Sequence, residues 1–215
     1  MVKVFNFEEN PTEFSANTYV VGKVGGNCLV IDLGSTDAKI FEYVDTHYEK
    51  CLGILLTHAH FDHIRGIPNL LKHYRKKYDI PVYLHEDDAA LLNNPKLNSS
   101  SEMTGENIQV NLQPILIKDG ENLAFPDLKV QVIHTPFHTQ GSVCYLLDEE
   151  NAIFTGDTLF KGSIGRTDLA TSDPTKVKDS LAKLKSLRDW LVVYPGHGSL
   201  THIIEEKKHN PFFQE

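Results

Sequence analysis

Three runs rich in β-branched and apolar residues, at 2–7, 18–22 and 27–32, open the chain and predict strands. Gly25-Gly26-Asn27 between the last two is a hairpin turn signal. Over 37–47 the apolar positions Ile40, Phe41 and Val44 fall at helical spacing. A short apolar strand at 52–56 then leads at once into a polar, histidine-rich loop. Leu70, Leu71 and Tyr74 on one face, with basic residues opposite, predict a helix over 66–78. A strand at 81–84 and a short helix at 86–92 follow.

Residues 93–107 are polar, include Ser99-Ser100-Ser101, and read as a loop with room to move. The second half repeats the theme, with strands at 110–117, 128–134, 142–147, 152–154 and 191–194. A helix is expected over 174–187, with Pro174 in its first turn and Asp173 as its N-cap, and another over 201–209. No linker divides the halves and no period of about 20–50 residues recurs. Strands in series with helices between them predict a β core covered by helices on both faces. The expected architecture is a layered α/β or α+β fold, one domain spanning 1–215.

Composition narrows the classes. Forty per cent hydrophobic and 23% charged residues exclude disorder as the main reading, and 3 cysteines exclude a disulfide scaffold. Cys28, Cys51 and Cys144 form no CxxC pattern, and Cys28 and Cys144 lie in strand-like runs, as small core hydrophobes do. A net charge of −8 makes nucleic acid and anionic membrane poor partners. The N-terminal MVKVFNFEENP has no basic segment followed by an apolar one, so no secretory signal is expected and the cytoplasm is the expected location. No apolar run reaches the roughly 20 residues of a membrane-spanning helix. What remains to explain is 11 histidines.

The central motif is Thr57-His58-Ala59-His60-Phe61-Asp62-His63, placed directly after a strand. Three imidazoles and a carboxylate on a rigid strand end suit zinc, and clustering them unpaired would cost solvation for no return. Three further strands lead into a polar side chain of the same kind: His138 in Thr135-Pro136-Phe137-His138-Thr139, Asp157 in Thr155-Gly156-Asp157, and His197 in Pro195-Gly196-His197-Gly198. Each alone is an ordinary turn or a satisfied histidine. Four strand ends bearing ligand-type residues can converge on one site.

This set resembles the ligand set of the metallo-β-lactamase-fold hydrolases, in matching order along essentially the whole chain. The resemblance implies an αββα sandwich with metals at one edge of two facing sheets. It implies that His58, His60 and His138 bind a first ion, that Asp62, His63 and His197 bind a second, and that Asp157 bridges both. The implied cofactors are two divalent ions, zinc foremost, with iron or manganese as alternatives. Phe154-Thr155-Gly156-Asp157-Thr158-Leu159-Phe160, then Gly165-Arg166, and the terminal Asn210-Pro211-Phe212-Phe213 resemble short bacterial hydroxyacylglutathione hydrolases (glyoxalase II). No cysteine stands at position 157, which turns the reading away from β-lactamases whose second metal is held by a cysteine.

Some positions depart from that pattern. Phe137 stands where TPGHT would give glycine, and Asp168 where longer glyoxalase II enzymes have a tyrosine. The sequence ends about eighteen residues after His197, so the helical substrate domain of the longer enzymes is not expected. Gly165-Arg166-Thr167-Asp168 also resembles the mononuclear iron persulfide dioxygenases.

The chemistry expected from the resemblance is attack of a metal-bridging hydroxide on a hydroxyacyl-thiol thioester such as S-D-lactoylglutathione. Two cations lower the pKa of water from about 15.7 to about 7, and a thiol with pKa near ~8.5 leaves as thiolate. Asp62 and Asp157 are the catalytic candidates, as proton relays, and Arg166 is the candidate for holding a substrate carboxylate. Persulfide dioxygenation and lactone hydrolysis are the alternatives on the same ligands. The expected partner is a small molecule, neither nucleic acid nor membrane, and the oligomeric state is open. Lys161 reads as a solvated charge, Tyr145 as core, His134 as a satisfied structural histidine and His85 as a cap or surface residue. His47, His73, His202 and His209 read as surface, and Lys207-Lys208 as the positive end of the last helix.

Overall fold

The computed structural model describes residues 2–7 and 16–214. Residues 1, 8–15 and 215 lie outside the described residues, and with them part of the N-terminal stretch read above for a signal and the ends of the 1–215 domain. The described residues form two six-stranded sheets. The first runs β1 (Val2–Phe7), β2 (Thr18–Lys23), β3 (Asn27–Ile31), β4 (Lys50–Leu55), β5 (Val82–His85) and β6 (Ile115–Ile117), in that spatial order. β1 to β3 pair antiparallel and β3 to β6 parallel. Parallel neighbours need crossovers. These carry α1 (Lys39–His47), α2 (Phe61–Ile64), α3 (Ile67–Tyr74) and α4 (Ser100–Met103).

The second sheet holds β7 (Asn122–Phe125), β8 (Leu128–His134), β9 (Val143–Leu147), β10 (Ala152–Gly156), β11 (Val192–Pro195) and β12 (Thr201–His202), again in chain order across the sheet. Its pairs are antiparallel except β10–β11, which is parallel and joined through α5 (Val177–Lys185). α6 (Ile203–His209) follows β12.

Side-chain alternation makes the layers. Tyr19, Val21, Leu29 and Ile31 of the first sheet meet Val130, Val132, Val143 and Tyr145 of the second in one core between the sheets. Their strand neighbours Val20, Cys28 and Val30 point the other way, onto Ile40, Val44, Leu70 and Tyr74 of α1 and α3. On the far side Cys144, Leu146 and Ile153 pack on Leu181, Leu184 and Ile203 of α5 and α6. A period of two with both faces apolar is what a sheet covered by helices requires. The result is the expected αββα sandwich, a single layered domain. Cys28, Cys51 and Cys144 are buried free thiols, and Tyr145 is core. No helix among the described residues is long and apolar enough to cross a membrane.

The structure corrects several element readings. Only residues 115–117 of the expected 110–117 strand pair as strand, because Pro114 offers no N–H to a ladder and the strand begins just after it. β7 was not expected; it is the half-exposed edge partner of β8, with too little burial to mark it. Residues 86–93 wind as a 3-10 helix, and 174–187 begins with a 3-10 turn before α5, with Asp173 capping the Thr175 N–H as anticipated. The expected 201–209 helix divides into β12 and α6. The expected loop at 93–107 contains α4 and is buried at Asn98, Ser99 and Ser100, while 102–107 are exposed. Asn98 is fully buried, and its amide donates to the carbonyls of Leu91 and Ile108.

Candidate metal centre

The C-terminal ends of β4, β8, β10 and β11 deliver the ligand-type side chains to one place. His58 and His60 lie between β4 and α2, and Asp62 and His63 lie within α2. His138 lies in the turn after β8, Asp157 directly after β10, and His197 two residues after β11. The chain must pass very close to Asp157 on two sides. A Cβ at Gly196 would lie 2.2 Å from Asp157 Oδ1, and one at Gly165 would lie 1.9 Å from the Asp157 carbonyl oxygen. Only glycine fits at either position.

All seven expected side chains converge, in groups that share members. His58, His60 and His138 bring one donor atom each within 4.8 Å of one another, as do His58, His63 and Asp157, and as do Asp62, His63 and His197. His60 Nδ1 lies 3.0 Å from His138 Nε2. Asp157 faces both sides of the centre: Oδ1 is 3.3 Å from His63 Nε2, while Oδ2 is 3.4 Å from His138 Nε2 and 3.6 Å from His197 Nε2. Asp62 Oδ2 is 3.2 Å from His197 Nε2.

Buried His58 Nε2, His63 Nε2 and Asp157 Oδ1 make no hydrogen bond. Leaving three such atoms unmade costs about 1–3 kcal/mol each, and a bound cation removes that cost. Imidazole and carboxylate donors in this number suit divalent ions such as zinc or iron. The residues fit the metals that the sequence implies.

Hydrogen bonds behind the rings fix which nitrogen faces the centre. The Arg166 carbonyl can only accept, so at 2.9 Å it holds a proton on His138 Nδ1 and leaves the Nε2 lone pair facing inward. Asp32 Oδ2 does the same for His63 Nδ1 at 2.9 Å. Thr57 donates its hydroxyl to Asp32 Oδ2 at 2.7 Å, so its oxygen accepts from His58 Nδ1 at 3.2 Å and frees His58 Nε2. His60 Nε2 meets Thr171 Oγ1 at 3.2 Å, which leaves Nδ1 inward. Asp32, Thr57 and Thr171 had no assigned role from sequence. Asp32 did carry a signal, since it follows β3 as Asp157 follows β10.

Charge is divided across the centre. Burial, then His63, holds His58 well below the usual imidazole range, and burial with His138 puts His60 at about 3. Burial also works against charge on His63 and His197. Asp32, Asp62 and Asp157 nonetheless raise His63 well above its usual value, and Asp157 and Asp62 raise His197. Burial opposes ionisation of Asp157 and Asp62 too, but the same two histidines keep both carboxyls low. In protein stripped of metal, protons on His63 and His197 therefore stand in for cations. Metal loading at neutral pH is expected to release up to about two protons per chain, and affinity is expected to fall as pH falls. Calorimetric titration with zinc in buffers of different ionisation enthalpy measures that release.

Around the centre lies a cavity of about 390 Å³ lined by Phe61, Ser99, Met103, Arg166 and Leu169 beside the ligand-type residues. Arg166 reaches it as expected, but its Nε and Nη2 both donate to Asp168, at 2.7 and 2.9 Å. Phe137 turns away into the core beneath the second sheet, so His138 still meets His60. Lys161 is exposed. His85 accepts from the Asp87 N–H, a capping role, and is buried rather than at the surface. His85, Asp87 and His134 also bring donor atoms together. There the two rings stack at 3.9 Å and 14°, and in-plane lone pairs of parallel rings do not converge on one ion. His134 is a satisfied structural residue, with Nε2 2.8 Å from the Gln140 carbonyl.

Asp88 ties the two histidine loops together from below. It is fully buried and accepts from Ala59 N at 3.1 Å, Thr139 Oγ1 at 2.8 Å and Gly141 N at 2.8 Å. Burial raises its carboxyl despite those bonds. Asp88→Asn puts a donor among three donors. It is expected to cost about 1–3 kcal/mol of stability, read from denaturant unfolding.

Comparison with known proteins supplies the family. The chain matches the model of the metallo-beta-lactamase superfamily over residues 11–197. It is 37% identical over 188 residues to the probable metallo-hydrolase YqgX of Bacillus subtilis, covering 86% of each chain. It is 29% identical over 203 residues to the hydroxyacylglutathione hydrolase GloC of Haemophilus influenzae, covering 94% of each. Among solved structures, the BLEG-1 B3 metallo-beta-lactamase superposes with a TM-score of 0.90 at 35% identity, over 99% of this chain and 100% of that one. TTHA1623 in a di-iron-bound form superposes with a TM-score of 0.82 at 33% identity, over 97% and 99%. Fold, converging donors and matched sequence agree that the chain belongs to the metallo-β-lactamase superfamily of metal-dependent hydrolases.

Proposed function

We propose that this hydrolase cleaves hydroxyacyl thioesters, S-D-lactoylglutathione being the model substrate, with two zinc ions. The observation that carries the reading is the Asp157 carboxylate, whose two oxygens face the His63 and His138 sides of one centre. The likeness to a hydroxyacylglutathione hydrolase supports the thioester. His58, His60 and His138 would hold one ion, Asp62, His63 and His197 the other, and Asp157 would serve both. When bound, such a pair lowers the pKa of water to about 7 and polarises a carbonyl.

The chain's own groups do the rest. Asp62 places its Oδ2 at the centre, 3.2 Å from His197 Nε2, where it can take a proton from an attacking water. Arg166, Asp32 and Thr57 hold His138, His63 and His58 in the tautomers the centre needs. Phe61, Met103 and Leu169 give the acyl group an apolar wall that excludes water. A thiol of pKa near ~8.5 leaves as thiolate, so no separate acid is required of the protein. Arg166 at the cavity rim is the group placed to contact the thiol part. We place the protein in the cytoplasm, with a small molecule rather than nucleic acid or membrane as its partner.

The test is metal analysis combined with parallel assays on S-D-lactoylglutathione and glutathione persulfide. Two zinc ions per chain and thioester turnover are expected. One iron and oxygen uptake with the persulfide would replace the reading by persulfide dioxygenation. The likeness to a B3 metallo-beta-lactamase favours lactam hydrolysis as a second reading, tested on a chromogenic cephalosporin. A lactone belongs in the same panel.

A further inference from the structure

The loop that carries His197 has little stiffness of its own. His197 stands between Gly196 and Gly198, and Gly198 takes a left-handed φ of 73°. Packing restrains this ring less than its partners: the His197 side chain is 31% exposed, against 0% for His63 and 4% for His138. Yet its Nε2 must stay beside Asp62 Oδ2, at 3.2 Å, to complete the group of Asp62, His63 and His197.

What holds the loop comes from the opposite sheet. Asn17, buried just before β2, donates its Nδ2 protons to carbonyls on either side of His197, Pro195 O and Gly198 O, each at 3.0 Å. Its backbone N–H donates to the Gly196 carbonyl at 2.7 Å. Carbonyls only accept, so the amide nitrogen must face the loop, and Oδ1 is left to accept from Asn6 Nδ2 at 3.3 Å. The Tyr19 hydroxyl gives Pro195 O a second donor at 2.7 Å. Three bonds from one residue thus bracket His197. Among the described residues, none of the Asn17 bonds reaches the segments that carry His58, His60 or His138.

We propose that Asn17 is a positioning residue for the second ion. It sets the affinity of the Asp62, His63 and His197 group and leaves that of the His58, His60 and His138 group almost untouched. Losing its side chain frees the backbone on both sides of His197 but removes no donor atom from the centre. How many ions the chain holds when metal is scarce is then governed by a residue that touches none of them. The inference rests on the two-ion reading above and is independent of which ester is cleaved.

Zinc is titrated into the metal-stripped full chain against a competing chelator, with His197→Ala identifying the step that belongs to the second ion. In Asn17→Ala that step is expected to weaken by about 10–100-fold, and the other by about twofold or less. Asn17→Asp serves where alanine costs the fold. It keeps the size of the side chain and the acceptor for Asn6 but turns an oxygen toward two carbonyls, and the same selective loss is expected. A merely structural role would weaken both steps by the same factor. That result, or two steps unchanged from the parent in both variants, would overturn the inference and leave the two-ion reading standing. Uptake of a single zinc by the parent would remove both. The readout is zinc affinity, so failure of the thioester reading leaves it unchanged.

Discussion

Asp157→Ala is expected to lower kcat/KM by about a thousandfold or more, roughly 4 kcal/mol, while the chain stays folded. Among the described residues, Asp157 is the carboxylate whose oxygens approach both sides of the centre, at 3.3 Å to His63 Nε2 and 3.4 Å to His138 Nε2. Alanine therefore takes a donor from both donor groups at once. Ion content measured by plasma emission should fall from about two per chain to one or fewer, since each ion would be left a protein ligand short. The fold has less at stake. Asp157 Oδ1 makes no hydrogen bond, so removing it strips no partner from the surrounding backbone. Burial works against charge on His197 and Asp157 is the largest influence raising it, so that imidazole holds its proton less tightly when the carboxylate goes, which lessens the charge left behind. Circular dichroism and melting of the stripped protein are expected to stay near the parent. Full turnover with both ions retained would remove Asp157 from the centre.

Why the seven donors were legible and their supports were not follows from distance along the chain. His58, His60, Asp62 and His63 sit within one strand-end segment, where residue type and context speak together. The core elements were equally plain: β8 has the expected bounds because Leu128, Val130 and Val132 alternate with exposed Lys129 and Gln131. β7 and α4 carry no such mark because their side chains are half exposed or polar, and the polar run 93–107 reads as loop although Asn98, Ser99 and Ser100 within it are buried and Asn98 donates two hydrogen bonds. Asp88 sits in an acidic run that reads as solvated, and it meets Ala59, Thr139 and Gly141 across 29, 51 and 53 positions. No local pattern announces contacts that long. The cavity wall of Met103 and Leu169, and the pairing of Arg166 with Asp168, likewise come from how loops meet rather than from any spacing.

Asp32→Asn is expected to weaken metal binding by about 10–100-fold while leaving the backbone in place. Asp32 is buried and takes three donors: Thr57 N on Oδ1 at 2.7 Å, Thr57 Oγ1 on Oδ2 at 2.7 Å and His63 Nδ1 on Oδ2 at 2.9 Å. Its φ of 51° lies in the left-handed region, which asparagine adopts as readily as aspartate, so the substitution adds no backbone strain. With the asparagine oxygen accepting from Thr57 N, its NH2 replaces Oδ2 and becomes a donor. His63 Nδ1 must then accept, and its proton moves to Nε2, which points into the centre. Thr57 Oγ1 accepts from the NH2 as well and turns its hydrogen toward His58 Nδ1, so the His58 proton moves to Nε2 for the same reason. One atom changed at position 32 thus replaces two inward lone pairs with N–H groups, on two rings that do not move. Chelator competition measures the lost affinity, and nitrogen NMR of the imidazoles identifies the changed tautomers. Asp32→Ala, by contrast, leaves three buried donors unmet and is expected to lose stability as well, by about 3 kcal/mol or more. Affinity within twofold of the parent in Asp32→Asn would mean that the rings are set by packing alone.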